Sequence, residues 1–290
     1  MATDALRIDA PAKINLALRI LSRRPDGYHE LDTFFQAISL SDEVLIVPRE
    51  APGVGLTVVD ADVGPAEDNL ALRAARAWSD ASEIDPKVHI RLTKRIPAGA
   101  GLGGGSSDAG AVLRGLETMH GSPVGAARIA EIGATLGADV PFFCGADALA
   151  RGQGIGERLE PLPALAPREL MVVVPAVPVP TAAAYGWLAE SRAAEGNSAP
   201  GPAPLSMVPS PPTWPAIEDA LANDFHAVVA SAVPAVAEAA RAMASAGLTH
   251  VLLSGSGSAL FGFPAEPAAI RPVADRLEAT LPKARSFTAS

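Results

Sequence analysis

The sequence predicts an α+β fold in two lobes. Strand-like alternation and helix-like spacing both occur in the first half, without the regular strand–helix alternation of a doubly wound parallel sheet. Prolines cluster at Pro161–Pro167 and divide the 290 residues into comparable parts, 1–163 and 164–290. Hydrophobic residues at 49% and charged residues at 19% supply a sizeable core and exclude a wholly disordered or fibrous chain.

Taken in order, Leu6–Pro11 alternates apolar and polar residues as a strand does, and Asn15–Ile20 resumes the pattern. Arg23-Arg-Pro-Asp-Gly27 supplies turn chemistry. A further strand is expected at Glu43–Pro48. A helix is expected over Asn69–Ser79, where Leu70, Ala74 and Ala77 recur at three- and four-residue spacing. Val88–Leu92 alternates as a strand. A glycine-rich loop then leads to helices at about 109–120 and 124–136. Met171–Val174 reads as a short buried strand followed by an extended turn. The Pro-, Ala- and Ser-rich stretch 190–215 has no burial pattern and is expected to be a mobile surface excursion. Helices follow at about 216–229, 235–246 and 268–280, with strands at Val251–Leu253 and Ala259–Phe263.

Net charge is −9 and the pI is near 5.1, which argues against a general binder of nucleic acid or of anionic membranes. The lone cysteine, Cys144, can form no intramolecular disulfide. The N-terminus has no apolar signal-like core, and prolines break the uncharged run Leu170–Ala189. The expectation is a soluble, cytoplasmic protein with a small-molecule partner, no nucleic acid and no membrane. His89, His120, His226 and His250 show no metal-ligand spacing, so no metal site is assigned to side chains.

Gly99, Gly101 and Gly104 satisfy G-x-G-x-x-G, but the expected second strand with its acidic end is missing; Glu117 and Glu131 fall within helical segments. No lysine follows a glycine, so there is no P-loop. The five glycines from Gly99 to Gly105 nevertheless exceed what a turn requires. They let backbone N–H groups converge, and a helix opening at Ser106 adds its positive end, so the loop suits a polyphosphate. Asp108 in the first turn would repel phosphate, which calls for a cation or basic neighbour.

Pro97-Ala-Gly-Ala-Gly-Leu-Gly-Gly-Gly-Ser-Ser-Asp108 resembles the phosphate loop of the GHMP kinase superfamily. Pro11-Ala-Lys-Ile-Asn-Leu16, Arg24-Pro-Asp-Gly-Tyr-His-Glu-Leu31 and Leu136-Gly-Ala-Asp-Val-Pro-Phe-Phe143 resemble blocks of the branch that phosphorylates a cytidine-diphosphate-linked methylerythritol in non-mevalonate isoprenoid synthesis. Ser254-Gly-Ser-Gly-Ser-Ala259 is similar to the superfamily's C-terminal glycine motif.

The resemblance implies a two-lobed kinase with its active site in the cleft between lobes, ATP as co-substrate and Mg²⁺ alongside it. Asp139 matches the catalytic aspartate, which orients the acceptor hydroxyl and takes its proton. Lys13 matches the catalytic lysine and is expected to meet Asp139. Pro97, Gly99, Gly101, Leu102, Gly103, Gly104, Gly105, Ser106 and Ser107 match the ATP loop; Asn69 and Lys94 match positions near adenine. Asn15, Tyr28, His29, Tyr185 and Gly255 match the acceptor site, with Tyr28 and His29 against cytosine. Simpler readings stand beside these: Asn69 as a helix cap, Lys94 with Arg95 as a solvated basic pair, Asp139 as a turn or cap residue, Tyr185 as core. Alternatives for the whole chain are a homoserine- or mevalonate-type kinase, a non-catalytic nucleotide-binding protein and, more distantly, a dinucleotide-dependent oxidoreductase.

Overall fold

The structure, a computed structural model, describes residues 4–60, 64–194, 204–205, 208–266 and 270–290. It forms two compact units: residues 1–12, 40–98 and 103–147 make one, and 13–39, 99–102 and 148–290 the other. The units are discontinuous because two long strands, β1 (Leu6–Arg23) and β2 (His29–Pro48), each contribute to both. Compactness therefore does not divide the chain at one point near 163, and residues 148–163 belong with the second unit.

In the first unit, the second half of β2 pairs antiparallel with β4 (Val88–Thr93), which pairs parallel with β3 (Val54–Val59). Helices α1 (Leu70–Ser82), α2 (Gly104–Met119), α3 (Ala126–Leu136) and the short α4 (Val140–Cys144) complete it. The core joins Val44, Ile46, Ile90 and Leu92 from the strands to Ala71, Ala74, Ala75 and Trp78 of α1. Those α1 positions repeat at helical spacing, which is why the segment folds as an amphipathic helix. Small alanines on the buried face let α2 pack closely. Trp78 is fully buried and donates its indole N–H to Glu117 Oε1 at 2.8 Å. Glu117 also accepts from the backbone of Val124 and Gly125 at 3.0 Å each, so this buried acid anchors the start of α3.

In the second unit, the first half of β2 pairs antiparallel with β5 (Leu149–Gly154), and β5 with β6 (Arg158–Leu162). β1 pairs parallel with β8 (Ala222–Asn223). A separate antiparallel sheet runs β11 (Arg285–Ala289), β7 (Leu170–Val174), β10 (Leu260–Pro264), β9 (Leu248–Leu253). Helices α5 (Thr181–Ala194), α6 (Trp214–Ala220), α7 (His226–Ala232), α8 (Pro234–Ser245) and α9 (Ile270–Thr280) accompany it. Met171, Val173, Val229, Val236, Met243, Leu260, Val273 and Leu277 meet in its core. Among the described residues no single helix is long and apolar enough to cross a membrane.

Several expectations are corrected. The two N-terminal strand segments are one continuous strand, β1, which runs through Pro11. The expected helix 216–229 is two helices, α6 and α7, separated by β8. The stretch 190–215 is not an unstructured excursion throughout. Glu190–Ala194 end α5, and Trp214 begins α6. Leu205 is buried: its N–H donates to Asp32 Oδ2 at 3.0 Å and its carbonyl accepts from Arg151 Nη2 at 3.0 Å. Asp32 and Arg151 are themselves a buried, two-pronged ion pair, at 2.9 and 2.7 Å. Of the proline-rich run Gly196–Pro204, only residue 204 lies within the described residues.

Candidate active site

The second unit holds a buried polar network in an otherwise apolar stretch of β1. Lys13 and Asn15 are each only 3% exposed, and Thr33 of β2 is completely enclosed. Lys13 Nζ donates to Asn15 Oδ1 at 2.7 Å, and Asn15 Nδ2 donates to Thr33 Oγ1 at 2.8 Å. The Thr33 hydroxyl in turn donates to the Ala17 carbonyl at 2.6 Å. The Lys13 ammonium also lies 5.4 Å from the Phe35 ring centroid. Burying an ammonium costs free energy unless it is partnered, so this lysine is no solvated surface group.

The glycine loop crosses from one unit to the other. Residues 99–102 belong with the second unit and are fixed by backbone bonds: Lys13 N–H to the Leu102 carbonyl at 2.9 Å, and Ala259 N–H to the Ala100 carbonyl at 3.0 Å. Ser254 Oγ donates to the Gly101 carbonyl at 2.9 Å. Gly101 has φ +82°, and a Cβ there would sit 2.2 Å from the Ser254 carbonyl oxygen, so only glycine fits. The serine–glycine motif that supplies Ser254 is held by Asn223, whose Nδ2 donates to the carbonyls of Leu253 and Gly255 at 2.8 and 2.9 Å. Gly255 is brought against this loop, its own Cβ position lying 3.4 Å from the Gly101 carbonyl oxygen.

In the first unit, α2 opens at Gly104 rather than at Ser106, with Gly103 in the left-handed region at φ +72°. The two glycines therefore join the first turn, whose N–H groups have no partner within the helix. Gly105 is exposed, Ser106 half-buried and Ser107 buried. The Ser107 hydroxyl oxygen and Asp108 Oδ1 are buried and have no hydrogen-bond partner. Pro97 and Gly99 lie at the accessible entry to the loop.

Lys94 is not part of a solvated pair with Arg95. Its ammonium is buried between the carboxylates of Asp42 and Asp108, the latter at 2.6 Å. Asp42 Oδ1 accepts in addition from the backbone of Arg95 and from Ile96 N–H at 2.8 Å. Burial works against the charge on Lys94, but the two carboxylates outweigh it and raise its pKa. Burial pushes Asp108 up to about 7, with Asp42 adding to the rise and Lys94 opposing it. The basic neighbour that Asp108 requires is thus Lys94. Asn69 caps α1, accepting from Ala71 N–H at 2.9 Å. Asp139 is the N-cap residue just before α4, half-buried, and its carboxylate makes no capping hydrogen bond there.

The aromatic residues gather in the second unit. His29 stacks on Tyr185 with ring centroids 4.4 Å apart and 19° between planes, and Tyr185 meets Phe225 edge-on at 4.9 Å. Tyr185 therefore both packs against the core and presents a face toward His29. Burial, with Arg23 and Arg192 nearby, lowers the His29 pKa and favours its neutral form. Tyr28, held by an N–H bond to Asp26 Oδ1 at 3.1 Å, is 60% exposed and free to offer its ring to a ligand. Among the described residues no group of three or more His, Cys, Asp or Glu side chains could hold a metal ion. Sequence reasoning passes over Thr33, Asp42, Asn223 and Ser254 as individual site residues. Only Ser254 carries a local signal, the glycine motif around it.

The α+β fold is that of the GHMP kinases, a class of small-molecule kinases. The models of the GHMP kinases N terminal domain and of the GHMP kinases C terminal domain match residues 69–146 and 213–283. The chain is 43% identical to a 4-diphosphocytidyl-2-C-methyl-D-erythritol kinase from Solibacter usitatus, covering 90% of this chain and 81% of that one. It is 39% identical to the protein of that name from Geobacter sulfurreducens, over 98% and 97% of the two chains. A crystal structure of 4-(cytidine 5'-diphospho)-2C-methyl-D-erythritol kinase superposes with TM-score 0.78 at 36% identity, over 98% and 99% of the chains. A homoserine kinase from Cytophaga hutchinsonii shares the fold, with TM-score 0.69 at 16% identity over 100% and 96%. The chain belongs to the 4-diphosphocytidyl-2-C-methyl-D-erythritol kinase family.

Proposed function

We propose that the chain transfers the γ-phosphoryl group of ATP to the 2-hydroxyl of 4-diphosphocytidyl-2-C-methyl-D-erythritol, giving the 2-phosphate and ADP. The observation that carries this reading is likeness to kinases of that name over nearly the whole chain, at 37–43% identity. In this reading the acceptor oxygen forms the new O–P bond as the bond to the β-phosphate oxygen breaks. Asp139 orients that hydroxyl and receives its proton. Lys13, fixed by Asn15, stabilises negative charge at the transferred group. Gly99–Ser107 offer backbone N–H groups and a helix N-terminus to the phosphates, with Pro97 and Leu102 shaping the loop. Lys94 supports this cradle by neutralising Asp42 and Asp108, so that buried negative charge does not face the phosphates. Asn69 borders the adenine end.

Tyr28, His29 and Tyr185 take the cytosine, and Asn15 and Gly255 lie toward the rest of the acceptor. A neutral His29 can both donate to and accept from the polar edge of a base. Mg²⁺, bound together with ATP, would neutralise phosphate charge. The unpartnered Ser107 oxygen is the hard ligand type that Mg²⁺ takes. Catalysis rests on positioning and charge stabilisation, with no covalent enzyme intermediate. Residues 1–163 form the ATP-binding family domain and 164–290 the C-terminal one, a boundary that falls between the two family matches. The cytoplasm is the compartment this reading assigns.

The test is ADP release from purified protein with ATP, Mg²⁺ and a panel of acceptors. The cytidine-bearing acceptor should support turnover. Asp139→Asn should lower kcat by roughly 10²–10⁴-fold, the usual worth of a general base, while ATP binding persists. Turnover on homoserine or mevalonate alone would reassign the acceptor; none on any acceptor would leave a nucleotide-binding protein.

A further inference from the structure

We propose that Thr33 is a positioning residue for Lys13, acting by fixing which way round the Asn15 side-chain amide sits. This rests on the role given to Lys13 above. The argument is one of donors and acceptors. The Ala17 carbonyl can only accept, and Thr33 Oγ1 lies 2.6 Å from it, so the hydroxyl hydrogen points to Ala17. The lone pairs of Oγ1 are then left to face Asn15, 2.8 Å away, and only the amide NH₂ can donate to them. The amide oxygen is thereby turned toward Lys13 Nζ, at 2.7 Å.

Lys13 carries donors only, so the reversed amide would set NH₂ against NH₃⁺. Thr33 forbids that reversal. All three side chains are buried, with Thr33 at 0% and Lys13 and Asn15 at 3% exposure, so water cannot readily stand in for a missing partner. The β-branched side chain also limits rotation about χ1, which holds the hydroxyl in place on its strand. A single hydroxyl two steps from the ammonium thus sets where that ammonium rests.

The experiment compares Thr33→Val, which keeps the shape and removes the hydroxyl, with Thr33→Ser, which restores it. Each is assayed for kcat and for both KM values with ATP, Mg²⁺ and the cytidine-bearing acceptor, and thermal unfolding records folding. Thr33→Val should lower kcat at least tenfold with the KM for ATP changed less than twofold, and Thr33→Ser should recover kcat to within threefold. In an Asn15→Ala background, Thr33→Val should cost less than twofold more, because the relay is already cut. Thr33→Ala takes the same measurements if the valine variant does not fold. Unchanged kcat in the hydroxyl-free variant, or losses that simply multiply with Asn15→Ala, would overturn the proposal. Lys13→Met separates the two levels of argument. If it abolishes turnover while Thr33→Val does not, the relay alone fails; if it retains turnover, the assignment of Lys13 fails first.

Discussion

Replacing Gly101 by alanine tests how firmly the phosphate loop is fixed. A Cβ at this position would stand 2.2 Å from the Ser254 carbonyl oxygen, a backbone atom that cannot rotate away. Reaching ordinary contact requires the two segments to part by about 1 Å. The Ser254 hydroxyl bond to the Gly101 carbonyl, now 2.9 Å, would then exceed hydrogen-bond range, and the Ala259–Ala100 backbone bond at 3.0 Å would be strained with it. Each lost bond is worth about 1 kcal/mol. Holding an alanine at φ +82° adds about 1–2 kcal/mol. The variant should therefore be less stable by roughly 2–4 kcal/mol. A melting temperature for a chain of this size falls roughly 2–4 °C per kcal/mol. If the loop moves instead, its amides leave their places by about 1 Å, a displacement that can cost about 10²-fold in rate. Calorimetry together with kcat/KM for ATP, from ADP release, covers both outcomes. A variant that matches the parent in melting temperature, and in kcat/KM to within threefold, would refute the claim that this glycine holds the loop in place.

Two further outcomes follow from buried charge. Asp108 titrates near 7 in the folded protein because burial and Asp42 outweigh Lys94, whereas an unfolded chain releases that proton near 4. Between those values the folded state holds the extra proton, so this group's contribution to stability falls as pH rises through the window and levels off above it. The melting temperature of Asp108→Asn minus that of the parent should therefore rise from pH 5 to pH 8; a constant or falling difference would mean that Asp108 is already ionised at pH 5. Arg151→Met leaves the enclosed Asp32 carboxylate without its opposite charge and should cost about 3–5 kcal/mol in unfolding free energy. Adding Asp32→Asn should recover part of that loss, and a double variant no more stable than the single one by calorimetry would count against the charge-based explanation.

The sequence by itself determined the glycine loop and the position of the α1 cap. It also determined that the α1 segment is helical, although the buried face is Ala71, Ala74, Ala75 and Trp78 where the spacing points to Leu70, Ala74 and Ala77, and it carried the motif blocks of the family resemblance. These are local properties: periodicity, capping chemistry and backbone freedom are written within a few residues of one another. Tertiary structure decided that Lys94 lies buried between Asp42 and Asp108, 52 and 14 positions away, where adjacency to Arg95 suggested a solvated pair. It likewise decided that α2 begins at Gly104, against the low intrinsic helix preference of glycine. It brought Leu205 onto Asp32 and Arg151, although nothing in the surrounding Pro/Ala-rich composition marks one leucine as an anchor. Thr33 is the sharpest instance, an ordinary strand threonine whose meaning depends on Asn15, 18 residues earlier, lying opposite it. Burial and the direction of a hydrogen bond depend on what the folded chain sets across from a residue, and that information is absent from the residue's sequence neighbours.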